Sequence, residues 1–449
     1  MSTSIAPIQD RLVEADVAGI TIVWADNNGI PRSRTVPIAG LADAAERGVG
    51  MSPLFAVFDS RDGISFAHDG LSDASGDIRL LPVMERVTPL AGQPGFAWAP
   101  GRQRGPDGEP YPYDQRSRLE AQVARAASAG LSVLAGFELE FFVSKAGDEP
   151  EPAQRGPAYG PFALLQVDEF AAAVLRDLAA NGVPVGQFHA EYGLSQLEVS
   201  LGPADPVAAA DRQLLARQTI HAAARAHGLR VSFAPLVTAA GVGNGLHLHV
   251  SVSRGGDNLF VPAADGLPAG DGARFLGGLL RDLPAIAAVT APSVPSLLRR
   301  RPGYFAGVYQ FWGVENREAP LRFVPSSPFI GTDRANVELK ASDASGNPYL
   351  ALAVVLAAGL AGLDDNAELP PPVQADPGRW TDAQRSERGI AALPVTPEEQ
   401  ERALLASMRI GDALGGPLLG AFTAVRRADA AWAADRSPEE TIAAHRWRY

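Results

Sequence analysis

Polar residues spaced by two recur in four short segments of this chain. GFELEFFV carries Glu138 and Glu140, HAEYGLSQLEV carries His189, Glu191, Gln196 and Glu198, GLHLHVSV carries His247 and His249, and NVELKAS carries Glu338 and Lys340. Each segment reads as a strand, and on a strand residues two apart share a face. Carboxylates and imidazoles then line one side of a sheet, while Leu139, Leu248 and Leu339 enter a core behind it. In GFELEFFV the apolar neighbours leave no wet face unless a cavity supplies one. A wall of oxygen and imidazole donors suits hard divalent cations such as Mg2+ or Mn2+. The chain has no cysteine, which excludes both thiolate zinc sites and disulfides.

The elements that must position this wall are partly legible. Residues 1–17 read as a helix, and GITIVWADNNGIPRSRTVPI reads as two strands around the hairpin chemistry of Asp26-Asn27-Asn28-Gly29. A small β-rich unit is expected to continue through SPLFAVFDS and DIRLLPV to FAWAP. The Gly/Pro-dense stretch PGRQRGPDGEPYPYDQ then marks a boundary near residues 100–115. Ser117 is expected to begin a helix that Gly130 closes. Helical periodicity returns in DEFAAAVLRDLAANG, in DPVAAADRQLLARQTIHAAARAHG and in NPYLALAVVLAAGLAGL, the first two each expected to lead into a strand with paired polar residues. Residues 364–402 read as a surface loop and the last segment, AAWAADRSPEETIAAHRWRY, as one terminal helix.

Composition narrows the function classes. With 449 residues and 46% hydrophobic content the chain is long enough for two domains or one large decorated one. A net charge of −12 and pI near 5.1 provide no basic field for nucleic acid or anionic lipid. The start is acidic with no apolar signal core, and no run approaches the length of a membrane span, so a cytoplasmic protein acting on small molecules is expected.

Taken singly, each motif is ordinary. A Glu-x-Glu strand is more often a solvated face, His-x-His suits a hydrogen-bonded core as well as a ligand pair, and the arginine run 299–301 suits a charged surface. Their co-occurrence reverses that. GFELEFF, HAEYGLSQLE, GNGLHLHVS, RRRPGYFAG, WGVENREAPLR and VELKASDASGNPYL, in this order, resemble the motifs of the glutamine synthetase superfamily of ATP-dependent carboxylate–amine ligases, along nearly the whole chain. The long form WGVENRE and the EYG after His189 are more similar to the branch that joins glutamate to polyamines or ethanolamine than to housekeeping glutamine synthetase.

The resemblance implies a set of roles. Glu140, Glu191 and Glu198 would hold one divalent cation, and Glu138, His247 and Glu338 another, with His249, Ser251 and Asn336 toward ATP. Arg317 and Arg322 would meet the transferring phosphoryl group, for which a planar, permanently charged fork is suited. Arg299, Gly243, Lys340 and Phe305 would shape the carboxylate substrate's pocket. An acceptor-side aspartate, either Asp59 or Asp62, would come from a neighbouring subunit. Departures from the family pattern gather at that pocket: Leu236 and Lys340 replace a lysine and an arginine, Val242 an asparagine, and Phe305 the acidic flap residue. Asn336 replaces a nucleotide-side arginine. An aromatic ring in place of an acidic gate favours an acceptor with an apolar body over ammonium. No tyrosine lies between Tyr349 and Tyr449, so adenylylation of a late loop is not expected.

The expectation is therefore an α+β chain: a small β-grasp domain over residues 1–104, then a catalytic domain over 105–449 whose curved antiparallel sheet is backed by helices. The reaction implied joins the γ-carboxyl of glutamate to an organic amine through γ-glutamyl phosphate. Ammonia-using glutamine synthetase is the nearer alternative and a non-catalytic structural or signalling relative the more distant one. The resemblance also implies self-association into a dodecamer of two hexameric rings, with neither nucleic acid nor membrane as partner.

Overall fold

The computed structural model describes residues 5–329 and 331–449. After a helix at Ile5–Glu14, β1 (Gly19–Ala25) and β2 (Pro31–Pro37) pair antiparallel around the Asp26–Gly29 turn. With β3 (Val49–Met51), β4 (Ile78–Pro82), β5 (Thr88–Pro89) and β6 (Phe96–Arg104) they form a sheet of order β2-β1-β6-β4-β3, with β5 on β6. β2 alternates exposed and half-buried residues as a one-sided strand should, whereas β1 is buried on both faces. Ile20 packs with Ile8, Leu12 and Leu41 under the first two helices, and Val23, Trp24 and Ala25 join the main core.

One expected strand is not there. In SPLFAVFDS the Ser52 hydroxyl accepts from the Leu54 amide at 3.2 Å and Pro53 presets the backbone, so Pro53–Val57 winds as a 3-10 helix with Pro53, Leu54, Ala56 and Val57 buried.

The second sheet holds β7 (Leu131–Lys145), β8 (Val185–Ala190), β9 (Gln196–Leu201), β10 (Leu229–Ser232), β11 (Leu246–Arg254), β12 (Asp257–Asn258), β13 (Trp312–Val314), β14 (Leu321–Val324) and β15 (Asn336–Leu339). Its order is β13-β14-β15-β11-β7-β9-β8, with β10 on β7 and β12 on β11, and every pair except β13–β14 is antiparallel. Phe137, Leu139, Phe141 and Val143 alternate into the core from the long central strand β7, leaving Glu138 and Glu140 on the other face. The helix Pro206–Ala226 leads first into the short β10, and only then into β11 with its histidine pair.

Helices back this sheet. The one expected from Ser117 begins two residues earlier, at Gln115, with Asp114 at the boundary and the Ser117 hydroxyl bonded to the Asp114 carboxylate. The helix Pro348–Asp364 is apolar and buried on all sides through Gly362, each of its fully buried leucines and valines contributing about 1.5–3 kcal/mol. It touches the helix Gly270–Thr290 backbone to backbone: a Cβ on Gly278 would lie 2.7 Å from the Gly362 Cα, so glycine is required there.

Residues 364–402 are more structured than a loop. They contain helices at Asp382–Glu387 and from Pro397, and Val373 donates to the Trp312 carbonyl at 2.9 Å. The C-terminal segment is two helices, Gly416–Ala433 and Pro438–His445, divided where Ser437 and Glu440 form a capping box. The β1–β2 turn, chemically a surface hairpin, is buried: Asp26, Asn27 and Asn28 are at most 1% exposed. Asn347 donates to the carbonyls of Ala25 and Asp26 at 3.0 Å, and Arg217 donates to that of Gly29 at 2.9 Å.

Candidate active site

The register of the second sheet assembles the paired polar residues. His249 stands opposite Glu338, His247 opposite Glu138, Glu140 opposite Glu198, and Glu198 opposite His189. Directly paired positions bring side chains of one face into reach of each other. His247 Nδ1 lies 3.2 Å from Glu138 Oε2 and 3.4 Å from Glu338 Oε1, while its Nε2 lies 3.6 Å from Glu140 Oε1. His249 Nε2 is 3.5 Å from Glu138 Oε1, and His189 Nε2 is 3.5 Å from Glu191 Oε1 and 3.8 Å from Glu198 Oε1. Behind the wall Leu139, Leu248 and Leu339 are buried, as strand alternation requires.

Crowded carboxylates in a half-buried wall cannot all ionise alike. Burial, then the charges of Glu138, Glu140 and Glu191, push Glu198 up to about 9 against the pull of Lys340. Burial also works to raise Glu138 and Glu338, but is overcome. Hydrogen bonds from His247 and His249 hold Glu138 well below the usual carboxylate range, and Lys340, His247, His249 and Arg322 bring Glu338 to about 2. Burial lowers His249 less than Glu138 and Glu338 raise it.

This donor set fits hard cations. Three groups each bring one ligand atom per residue within 4.8 Å of the others: Glu138, Glu198 and His247; Glu138, His249 and Glu338; and His189, Glu191 and Glu198. His249 Nε2 is buried there, 3.5 Å from Glu138 Oε1. The grouping differs from the division expected from sequence. Glu140 belongs to none of the three; its Oε2 accepts from Gln196 Nε2 at 3.0 Å and from the Gly245 amide at 2.8 Å, while its Oε1 lies 3.6 Å from His247 Nε2. His189 joins Glu191 and Glu198, and His249, expected toward ATP, joins Glu138 and Glu338.

Several flanking residues lie beside the wall. Arg322 Nη1 donates to Glu338 at 2.9 Å and its other arm pairs with Glu315; Lys340 Nζ is 3.7 Å from Glu338. Asn336 Oδ1 meets His249 Nδ1 at 2.9 Å, so it fixes that imidazole. Ser251 follows His249 by two on β11 and is half-buried. Arg299 packs its stem against Gly243, where a Cβ would be 2.6 Å from the Arg299 Cγ, and φ of +86° reinforces the need for glycine. Arg299 itself is buried, donating to the Ser342 carbonyl at 2.9 Å.

Other expected site residues are not gathered here. Arg317 is exposed in the turn between β13 and β14 and makes no ion pair among the described residues. Phe305 is exposed with φ of +52°. Leu236 is buried in the core, so it does not line an open pocket. Asp59 closes its own turn by accepting from the amides of Arg61 and Gly63 at 2.8 Å, and Asp62 pairs with Arg32 and Arg448; among the described residues neither pairs with a residue of the wall. Reading the sequence also gave no place to Tyr159, whose hydroxyl bonds Glu191 and whose ring stacks on His189. The loop AYGPF carries no periodicity that would have singled it out.

The glutamine synthetase catalytic-domain family matches residues 112–442. The gamma-glutamylpolyamine synthetase GlnA3 of Streptomyces coelicolor is 45% identical over 98% of this chain and 96% of its own length. The glutamine synthetase of Thermotoga maritima is 34% identical over 72% of this chain and 74% of its own. Among solved structures, a glutamine synthase homolog superposes with a TM-score of 0.86 at 32% identity, covering 96% of this chain and 99% of that one. The GmaS–ADP complex superposes with a TM-score of 0.84 at 26% identity, covering 96% and 97%. With a paired acid–imidazole wall on its sheet and this similarity from end to end, the chain belongs to the glutamine synthetase family of carboxylate–amine ligases.

Proposed function

We propose that this protein joins the γ-carboxyl of glutamate to an organic primary amine at the expense of ATP, with polyamines as the preferred acceptors and ethanolamine as a smaller one to test. The observation that carries the reading is the meeting of Glu138, Glu198, Glu338, His247 and His249 with the Arg322 guanidinium on one wall. The 45% identity to a gamma-glutamylpolyamine synthetase supports the choice of acceptor class. So do Phe305 and Val242, which leave the pocket without an acidic gate or an amide there.

In this reading a γ-carboxylate oxygen of glutamate attacks the terminal phosphorus of ATP, the bond to the bridging oxygen breaks and ADP leaves. The amine nitrogen then attacks the acyl carbon, the bond to the phosphate oxygen breaks, and phosphate and one proton depart. Divalent cations, bound by the Glu138, His247, His249 and Glu338 side and by the Glu140, His189, Glu191 and Glu198 side, would supply charge neutralisation for the phosphates. Arg322, held between Glu338 and Glu315, presents a fixed cation to the phosphoryl group in flight. Arg299 and Lys340 give the carboxylate substrate its positive contacts, with Gly243 allowing close approach. Ser251 and Asn336 face the nucleotide, Asn336 by orienting His249. The chain is further proposed to assemble as stacked rings in which Asp59 or Asp62 serves a neighbour's acceptor site, with Arg317 acting in the assembled site.

The test is phosphate release with ATP and glutamate held constant across ammonium, ethanolamine, monoamines and polyamines, with product masses recorded. The reading expects γ-glutamyl amides and the highest rates with organic amines; rates with ammonium that no organic amine exceeds would refute it.

A further inference from the structure

At its β8 side the acidic wall ends in an aromatic rim that no step above uses. Tyr159 is 60% exposed, yet it is fixed: its ring lies 6.1 Å from that of His189 at 26°, and its hydroxyl bonds Glu191. Tyr192 follows Glu191 directly, and its amide donates to that residue's own carboxylate, which fixes the turn. The Tyr192 ring is 66% exposed and has no ring or cation partner among the described residues. Gly193, next in the chain, packs against the glycine loop, since a Cβ there would lie 2.8 Å from Val242 Cγ2. Arg301 holds that loop by donating to the Gly241 carbonyl at 2.9 Å, and its guanidinium lies 4.5 Å over the Tyr304 ring. One face of Tyr304 is therefore already taken by a cation, while Tyr192 is free.

An exposed aromatic face on the turn that follows Glu191 is the chemistry that receives an alkylammonium. We infer that Tyr192 selects acceptors with a second, distal ammonium: linear α,ω-diamines and longer polyamines. The reacting nitrogen reaches the acidic wall, and the far ammonium rests on the Tyr192 ring. This rests on the ligase reading and goes further in naming the residue that distinguishes one amine from another. A monoamine of equal length has the same reacting end and methylenes but nothing for the ring to attract.

The test compares kcat/KM for a diamine with that for the monoamine of the same chain length, in the full-length protein with Mg2+, ATP and glutamate. Wild type is expected to favour the diamine, and Tyr192→Ala to lower that ratio about tenfold through the diamine's KM, whereas Tyr192→Phe, which keeps the π face, retains it. Because the ring is exposed, the thermal midpoint of each variant should stay near that of wild type. A ratio unchanged within twofold in Tyr192→Ala, or a wild type that turns over monoamines as well as diamines, would overturn the inference while the ligase reading stands. A wild type that turns over no amine would overturn both.

Discussion

Glu338 is where opposing demands on a single side chain are sharpest. It is 1% exposed, so burial favours its neutral form, yet Arg322, Lys340 and His247 surround it and keep it ionised. Glu338→Ala takes from Lys340 its carboxylate partner and from Arg322 and His247 one of theirs, as well as removing a donor for the divalent ion. Turnover should fall by at least about 10²–10³-fold, whereas Phe305→Glu should change acceptor preference more than rate. Steady-state kinetics on both variants check this, and equal effects would contradict the separation of wall from pocket. Glu198 is the reverse case: with its pKa raised to about 9 it holds a proton at pH 7.5, and a cation bound there must displace it. Mg2+ uptake should release a proton and tighten as pH rises toward 9, which calorimetry in buffers of different ionisation enthalpy reads directly. The alternation that put Glu138, Glu140, His247, His249 and Glu338 on one face was legible because it is local. The capture of Glu140 by Gln196 and the Gly245 amide was not, since it depends on a loop folding back from a different strand.

At the scale of elements, helices and long strands followed from periodicity, and the errors fall at boundaries and where a single polar residue decides. A helix begins at Gln115 rather than Ser117, and Ser52 with Pro53 turns an apolar run into a 3-10 helix. Asn347 is such a residue with two duties. Its Oδ1 caps the buried helix Pro348–Asp364 through the Tyr349 and Leu350 amides, and its Nδ2 holds two carbonyls of the β1–β2 turn. Asn347→Ala should cost about 2 kcal/mol or more, combining a lost cap with buried carbonyls left unpaired. A lowered urea midpoint would register it; an unchanged midpoint would mean the turn is not held from this helix.

Across the whole molecule, the feature least readable in sequence is how the N-terminal sheet meets the rest. Asp26-Asn27-Asn28-Gly29 has the chemistry of a surface hairpin but is packed inside, because its partners Arg217 and Asn347 are far along the chain. The turn at Asp59–Gly63 is likewise fastened to the C-terminal helices, with Ser60 bonded to Asp429 and His445 at 2.7 Å. If that turn completes a neighbour's site, mixed assemblies of Asp62→Asn and Glu338→Ala chains should regain activity that neither has alone. No regain in co-expressed, co-purified mixtures would place the whole site within one chain.

The central claim is that this wall exists to move a phosphoryl group onto a carboxylate. Glutamate labelled with oxygen-18 in its γ-carboxyl, turned over with ATP, Mg2+ and a polyamine, tests that most directly. Mass spectrometry should find one labelled oxygen in each phosphate released and one in each amide formed. Phosphate released without label would contradict the account.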